Sequence, residues 1–234
     1  MGRLGRFFTT VREQGLLPAM LRSRFVRPWI RRAAELTYWH DYTWTTTKWM
    51  GVPVMKYPSD AWSYQEILYE SRPDLLIETG TYCGGSALFF ASLFDVLGEG
   101  RVVTVDFEDR PGRPTHPRIQ YLKGSSVAEE TLRQVEALAA TASRVMVVLD
   151  SDHAEEHVYK ELLAYHRYVG EGQYLVVEDT NVNGHPVFRR HGPGPMEALD
   201  RFLPAHPEFQ SDFSRERLGL TAHPRGFLKR LPLP

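Results

Sequence analysis

Three observations predict an α/β fold built on a mostly parallel, doubly wound sheet. From Asp74 onward, short apolar runs rich in β-branched residues alternate with helical segments, the pattern of right-handed βαβ crossovers. Several of those runs end in glycine or in carboxylates, at the edge where such sheets bind ligands. The last two runs have no room for a helix between them and should pair antiparallel. A length of 234 residues suits one such domain, and 42% hydrophobic residues is enough to build its core.

The first 50 residues read as short amphipathic helices broken by Pro18 and Pro28, a helical extension of a domain that spans 51–234. Residues 1–48 carry nine Lys/Arg against three acids, a surplus of six that leaves −7 on the remainder. A basic arm on an acidic body can meet nucleic acid or a membrane surface. No nucleic-acid motif accompanies it, so the favoured reading is packing on its own body or on a neighbouring subunit, with neither nucleic acid nor membrane as partner. Residues 49–62 form a Pro-punctuated aromatic loop, and a helix follows from Ser63 to near Pro73.

Strand one is Asp74-Leu-Leu-Ile-Glu-Thr-Gly, followed by a helix over 86–97 that Gly98 stops. Strands two and three are 101–106 and 118–122. A helix over 127–141 leads to strand four, 144–150, the most β-branched run. A helix over 154–168 leads to strand five, 173–179. A short helix over 195–203 precedes two strands, 217–222 and 227–231, around a turn at Pro224-Arg-Gly. Seven strands in a Rossmann-like sheet, five parallel plus an antiparallel C-terminal edge hairpin, is the layout of class I methyltransferases. The single cysteine, Cys83, excludes an internal disulfide framework and points to a reducing, cytoplasmic compartment. No apolar run nears the roughly 20 residues of a membrane helix, and the N-terminus lacks the apolar stretch of a secretion signal.

The turn after strand one reads Glu78-Thr-Gly-Thr-Tyr-Cys-Gly-Gly-Ser. Glycines there permit a tight turn and close approach of backbone to a ligand. The spacing fits neither a dinucleotide fingerprint nor a phosphate-cradling loop, because Tyr82 stands where the fingerprint's second glycine is needed and no Gly-Lys-Ser/Thr follows. It suits a nucleoside cofactor that carries an amino acid. Asp106, closing strand two, can accept both ribose hydroxyls. Ser125 and Ser126, after strand three, either bond the adenine edge or cap the next helix.

Strands four and five end in Asp150-Ser-Asp-His and Glu178-Asp-Thr-Asn. Adjacent strands lie about 4.8 Å apart, so these carboxylates share one space and repel unless a cation neutralises them. All-oxygen ligation favours Mg²⁺, Ca²⁺ or Mn²⁺. Helix capping explains one acid per strand end but not Glu178 and Asp179 together. His153 can take a proton from a substrate hydroxyl; His157, one helical turn on, shares its face.

Residues 49–68 and 72–87 resemble the cephalosporin-hydroxylase-like family, better described as sugar and natural-product O-methyltransferases. Leu149-Asp-Ser-Asp-His, Val177-Glu-Asp-Thr, Gly192-Pro-Gly-Pro-Met-Glu-Ala and Pro224-Arg-Gly-Phe-Leu-Lys-Arg add to the likeness, which covers roughly residues 45–232. The resemblance implies an S-adenosyl-L-methionine-dependent O-methyltransferase acting on a sugar or glycoside hydroxyl of a secondary metabolite, and a homo-oligomer assembled through the N-terminal extension. The 78–86 loop is also similar to that of catechol O-methyltransferase. By that likeness Asp150, Glu178 and Asp179 hold Mg²⁺, while Glu78, Gly80, Tyr82, Ser86, Asp106, Ser125, Ser126 and Asp150 surround the cofactor. His153 falls where the catechol enzyme has its lysine base, so His153 and Asp150 are the catalytic candidates. Trp62, Tyr64, Gln65 and His185 are candidates for touching the acceptor. Methyl transfer to an aminosugar nitrogen, a non-haem iron hydroxylase and a non-catalytic cofactor-binding partner remain as other readings.

Overall fold

The computed structural model describes residues 25–232, together with residues 12, 16 and 23. The reading of Pro18 as a helix breaker lies outside them. Pro28 does not break a helix but opens one: α1 spans Arg27–His40 with proline in its first turn. The same holds for α2, Pro58–Ser71, which begins five residues before the expected start at Ser63. A first-turn amide has no intrahelical partner, so proline's missing N–H costs nothing there and its fixed φ favours the helix. Between α1 and α2 lies a tiny antiparallel pair, β1 (Lys48–Trp49) and β2 (Val52–Pro53), and then an irregular strap, residues 54–57.

The large sheet contains β3 (Leu75–Thr79), β4 (Arg101–Asp106), β5 (Ile119–Lys123), β6 (Val145–Leu149), β7 (Tyr174–Val177), β8 (Phe209–Ser211) and β9 (Phe227–Arg230). Its order is β5-β4-β3-β6-β7-β9-β8. The first five are parallel; β9 runs antiparallel to β7, and β8 antiparallel to β9. The helices between them are α3 (Gly85–Leu97), α4 (Glu129–Ala139), α5 (Glu155–Tyr165) and α6 (Pro195–Phe202).

Side chains alternate across the central strands, as a sheet covered on both faces requires. Leu75, Ile77, Val103, Val105, Val147 and Leu175 pack beneath α4, α5 and α6. Leu76, Val102, Met146, Val148 and Val176 pack beneath α2 and α3. The chain crosses from β5 back over the sheet to β6, so the switch point lies between β3 and β6, where a crevice opens beyond the strand ends.

The C-terminal hairpin is present, but its outer strand is Phe209–Ser211 and not 217–222. The expected strand is diverted because it is tied elsewhere. Arg217 pairs with Glu66, Gly219 bends at φ +102°, and the Ala222 N–H donates to Asp60 Oδ2 at 2.8 Å. Residues 217–223 therefore run over the strand ends and help wall the crevice. Among the described residues no helix is long and apolar enough to cross a membrane.

Two glycines hold the crevice together. A Cβ on Gly80 would lie 1.8 Å from the Asp150 carbonyl oxygen, and one on Gly85 would lie 2.0 Å from the Pro53 carbonyl oxygen. Gly85 thus seats the strap on the start of α3. Gly85→Ala is expected to cost about 1–3 kcal/mol by overpacking backbone on backbone, a Tm lower by roughly 2–12 °C in thermal unfolding. A Tm equal to wild type would mean that the strap is not held here.

Candidate active site

A cavity of about 870 Å³ lies beyond the carboxyl ends of β3, β4, β6 and β7. Gly80, Tyr82, Ser86, Asp106, Ser125, Ser126, Asp150, His153, Glu178 and Asp179 all line it, which brings the cofactor and acid candidates into one space. Gly80 turns the chain at φ +86°, where its missing side chain lets β3 and β6 end side by side. Tyr82 also has positive φ, 46°. Its N–H donates to Asp106 Oδ2 (2.8 Å), and the Glu108 N–H donates to Asp106 Oδ1 (2.9 Å). Arg113 reaches the same carboxylate at 2.7 Å. Asp106 therefore fastens the glycine loop to the end of β4 while forming the cavity wall. Phe107, 71% exposed, stands beside it at the rim; nothing in the sequence reading singled it out.

Neither serine after β5 caps a helix, because the N-cap of α4 is Ala128. Ser126 Oγ is instead hydrogen-bonded to His157 Nε2 at 3.1 Å. Glu78 is fully buried and does not line the cavity: Thr104 Oγ1 donates to it at 2.6 Å. It supports the loop from below. Burial is the main cause that pushes its carboxyl up to about 7, against the lowering influence of Lys56 and of hydrogen bonds from Ser86 and Thr104.

On the other side of the switch point the carboxylates converge. His153 Nε2 lies 3.2 Å from Asp179 Oδ2, and donor atoms of Asp150, His153 and Asp179 all lie within 4.8 Å of one another. Asp179 sits in the left-handed region at φ 54°, an uncommon conformation that surrounding contacts must hold. Its N–H donates to His223 Nδ1 at 3.1 Å. His223 is 2% exposed and was not anticipated.

Lys56 was not anticipated either. It descends from the strap, 4% exposed, and donates to both Glu178 oxygens at 2.6 Å and to Asp150 Oδ2 at 3.2 Å. Tyr64 Oη donates to Glu178 Oε1 at 2.6 Å. Burial, the largest single influence, would raise the Glu178 carboxyl, but the Lys56 charge, His223 and the hydrogen bonds from Lys56 and Tyr64 together outweigh it and hold the acid well below the ordinary range. Asp150 goes the other way: burial, then the Glu178 charge, push its carboxyl well up. The ammonium touches two carboxylates, and it is committed chiefly to Glu178. Asp150 and Asp179 are left facing the cavity with His153 beside them, and their hard carboxylate oxygens fit Mg²⁺ or Mn²⁺. Glu178, expected as a third metal ligand, is the one whose oxygens are already engaged.

The four acceptor candidates are corrected. Tyr64 is fully buried in the core, Trp62 is exposed and bonded to Glu66 at 3.2 Å, Gln65 is half-buried on α2, and His185 is bonded to Glu197 at 2.9 Å. None of them lines the cavity. The wall opposite the glycine loop is instead formed by Trp39, Tyr42 and Trp44 from the N-terminal segment, with Val182, Phe188 and His191.

The Glu78 carboxyl gives a pH test. An acid whose pKa is higher when folded holds its proton more tightly in the native state, so stability falls as pH rises from 4.5 and levels off above about 7. Glu78→Gln should remove this component. Relative to its own value at pH 4.5, the variant should gain about 3 kcal/mol on wild type by pH 8, measured by denaturant unfolding. Parallel pH profiles for the two proteins would refute a buried, proton-holding Glu78.

The comparisons with known proteins accord with this geometry. A family model described as rhamnosyl O-methyltransferase/CmcI matches residues 41–231. The rhamnosyl O-methyltransferase of Mycobacterium bovis is 38% identical over 215 residues, 88% of each chain. That of Mycobacterium leprae is 39% identical over 199 residues, 82% of this chain and 87% of the relative. Among solved structures, CmcI with Mg and SAM superimposes with a TM-score of 0.63 at 20% identity, covering 84% of each chain. With its sheet order, its glycine turn and its acidic strand ends accounted for, the chain belongs to the rhamnosyl O-methyltransferase/CmcI family.

Proposed function

We propose that this protein transfers a methyl group from S-adenosyl-L-methionine to a hydroxyl of a sugar or glycoside, with help from a divalent cation. The observation that carries the reading is the meeting, in one cavity, of the glycine loop at the end of β3 with Asp150, His153 and Asp179 at the ends of β6 and β7. The relatives' names supply the sugar, and the CmcI structure with Mg and SAM supplies the two cofactors. A secondary metabolite as the carrier of that sugar belongs to the same proposal. So does assembly into a homo-oligomer through the N-terminal segment, where Trp29 remains 73% exposed on α1. A cytoplasmic location goes with them and rests on the lone cysteine.

When bound, S-adenosyl-L-methionine presents an electrophilic methyl carbon, and the cation lowers the pKa of the acceptor hydroxyl. Asp150 and Asp179 would hold the ion; a magnesium site of this kind uses one or two carboxylates and leaves its other positions to water and substrate. Gly80, Ser86 and the Asp106-clamped loop position the donor. Ser125, Ser126 and His157 face it from the end of β5 and from α5. His153 takes the hydroxyl proton, and Asp179, 3.2 Å from its Nε2, stabilises the imidazolium that results. Lys56 keeps Glu178 ionised and, 3.2 Å from Asp150, lowers the proton affinity that burial and the Glu178 charge raise there. Rate enhancement then comes from positioning and electrostatics, without a covalent intermediate.

Calorimetric titration of S-adenosyl-L-methionine, with magnesium and then with chelator, tests both halves. Wild type should bind one ion, and Asp179→Asn or chelation should lower turnover at least about 100-fold. Cofactor binding with full turnover in chelator would overturn the cation's role and favour transfer to nitrogen; no cofactor binding would overturn the function. A second test concerns Lys56. Lys56→Met strands the Glu178 charge in the interior and should cost about 3–5 kcal/mol, while Lys56→Met combined with Glu178→Gln should recover most of it. A single variant as stable as wild type at pH 7 would show the pair to be dispensable.

A further inference from the structure

The cavity continues past the carboxylates along an unbroken series of rings. His153, 3.2 Å from Asp179, faces His191 with ring centroids 6.5 Å apart. His191 meets Phe188 at 5.4 Å. Phe188 lies over Trp39 at 6.4 Å with planes 27° apart, and Trp39 stacks on Trp44 at 4.7 Å and 16°. The series begins at the proposed reacting centre and ends on the N-terminal segment. Its rings all line the cavity, yet they are incompletely covered: Trp39 and Trp44 are half-buried and Phe188 is 51% exposed.

Large aromatic faces left open inside a cavity are unusual unless a ligand covers them. Four features define what fits. The faces are flat and apolar. The polar groups next to them, His153 and His191, are hydrogen-bonding imidazoles placed to one side. The cations that line the cavity are engaged elsewhere, Lys56 with Glu178 and Arg110 with Glu108. Asp150, Asp152 and Asp179 make this end of the cavity hostile to an anion. A pyranose has this shape in complement: one face made of C–H groups and a rim of hydroxyls. Aromatic side chains bury such a face at little entropic cost while neighbouring polar groups take the rim.

We propose that Trp39, Trp44 and Phe188 form the acceptor subsite, and that the ring surface this cluster leaves open packs on the C–H face of a neutral sugar ring, whose reacting hydroxyl then points toward His153 and the Asp150–Asp179 pair. The proposal rests on the sugar-methylation reading above and deepens it, assigning acceptor recognition to the segment that precedes the sheet. In this role the N-terminal residues complete the active site.

Steady-state kinetics with methyl rhamnoside and p-nitrophenyl rhamnoside, followed as S-adenosylhomocysteine formed, test it in wild type, Trp39→Leu and Phe188→Leu. Phe188 is half-exposed, so its variant should fold even if Trp39→Leu does not. The expected result is a rise of about tenfold in acceptor KM for both glycosides, with kcat changed little and the calorimetric Kd for S-adenosyl-L-methionine unchanged. A rise confined to the nitrophenyl glycoside would overturn the proposal, because the rings would then be stacking on an aglycone. Unchanged KM for both in active variants would overturn it too and leave the methyltransferase reading standing. A wild-type protein that binds the methyl donor but methylates neither glycoside would remove the sugar reading and this inference with it.

Discussion

Lys56 places one positive charge between two carboxylates that come from the ends of two different strands. Its ammonium reaches Glu178 at the end of β7 and Asp150 at the end of β6, and the strap that carries it is seated on α3 through Gly85. Desolvating an ammonium and a carboxylate is expensive, and their mutual attraction offsets that expense only when the geometry is good and the remaining hydrogen bonds are made. Here they are made: Tyr64 supplies a further donor to Glu178. Once Lys56 is fixed, the acids cannot be treated as one cluster. Glu178 is neutralised from within the protein, and Asp150 and Asp179 face a space that a cation from outside can fill. The division of the acids into two groups is what makes the crevice a site and not merely an acidic surface.

The parts of this arrangement that were legible in the sequence are those whose physics is local. The β-branched runs and their glycine ends gave five parallel strands, because strand period and turn chemistry act over a few residues. That Asp150 and Asp179 line one cavity was readable because the carboxyl ends of strands in doubly wound sheets meet at a crevice. Lys56 was not, since a single lysine between prolines carries no period and its meaning arises only when the fold brings it to Glu178, 122 residues away. His223 is hidden for the same reason. The three-residue β8 is too short for alternation to show. The error over Tyr64 is different in kind: Tyr64, Ile67 and Leu68 have the spacing of a buried helix face, and that spacing was in the sequence.

The aromatic segment shows why the boundary between extension and domain does not coincide with the boundary between accessory and functional residues. Charge and composition divide the chain near residue 50, since the arm is basic and the body acidic. The cavity ignores that division. Trp39, Tyr42 and Trp44 lie on the arm's side of it and wall the same space as Asp150 and Asp179. Glu35 on α1 accepts a hydrogen bond from Asn181 at 3.2 Å, two residues beyond Asp179. Burial pushes the Glu35 carboxyl up to about 7, with the Asn181 hydrogen bond acting against it.

That contact has a consequence for Asp179. Its left-handed backbone is held from below by His223, which accepts its N–H, and the chain just beyond it is held from above by Glu35. A residue in a strained conformation keeps it only when neighbours on several sides agree. The backbone that carries the Asp179 carboxylate is thus braced by one residue from the far C-terminal segment and one from the N-terminal helix. Preorganisation of this kind is where electrostatic catalysis draws its advantage, because dipoles and charges already in place need not reorganise during the reaction. The arm and the C-terminal crossing segment are therefore as much part of the chemistry as the strand ends they brace.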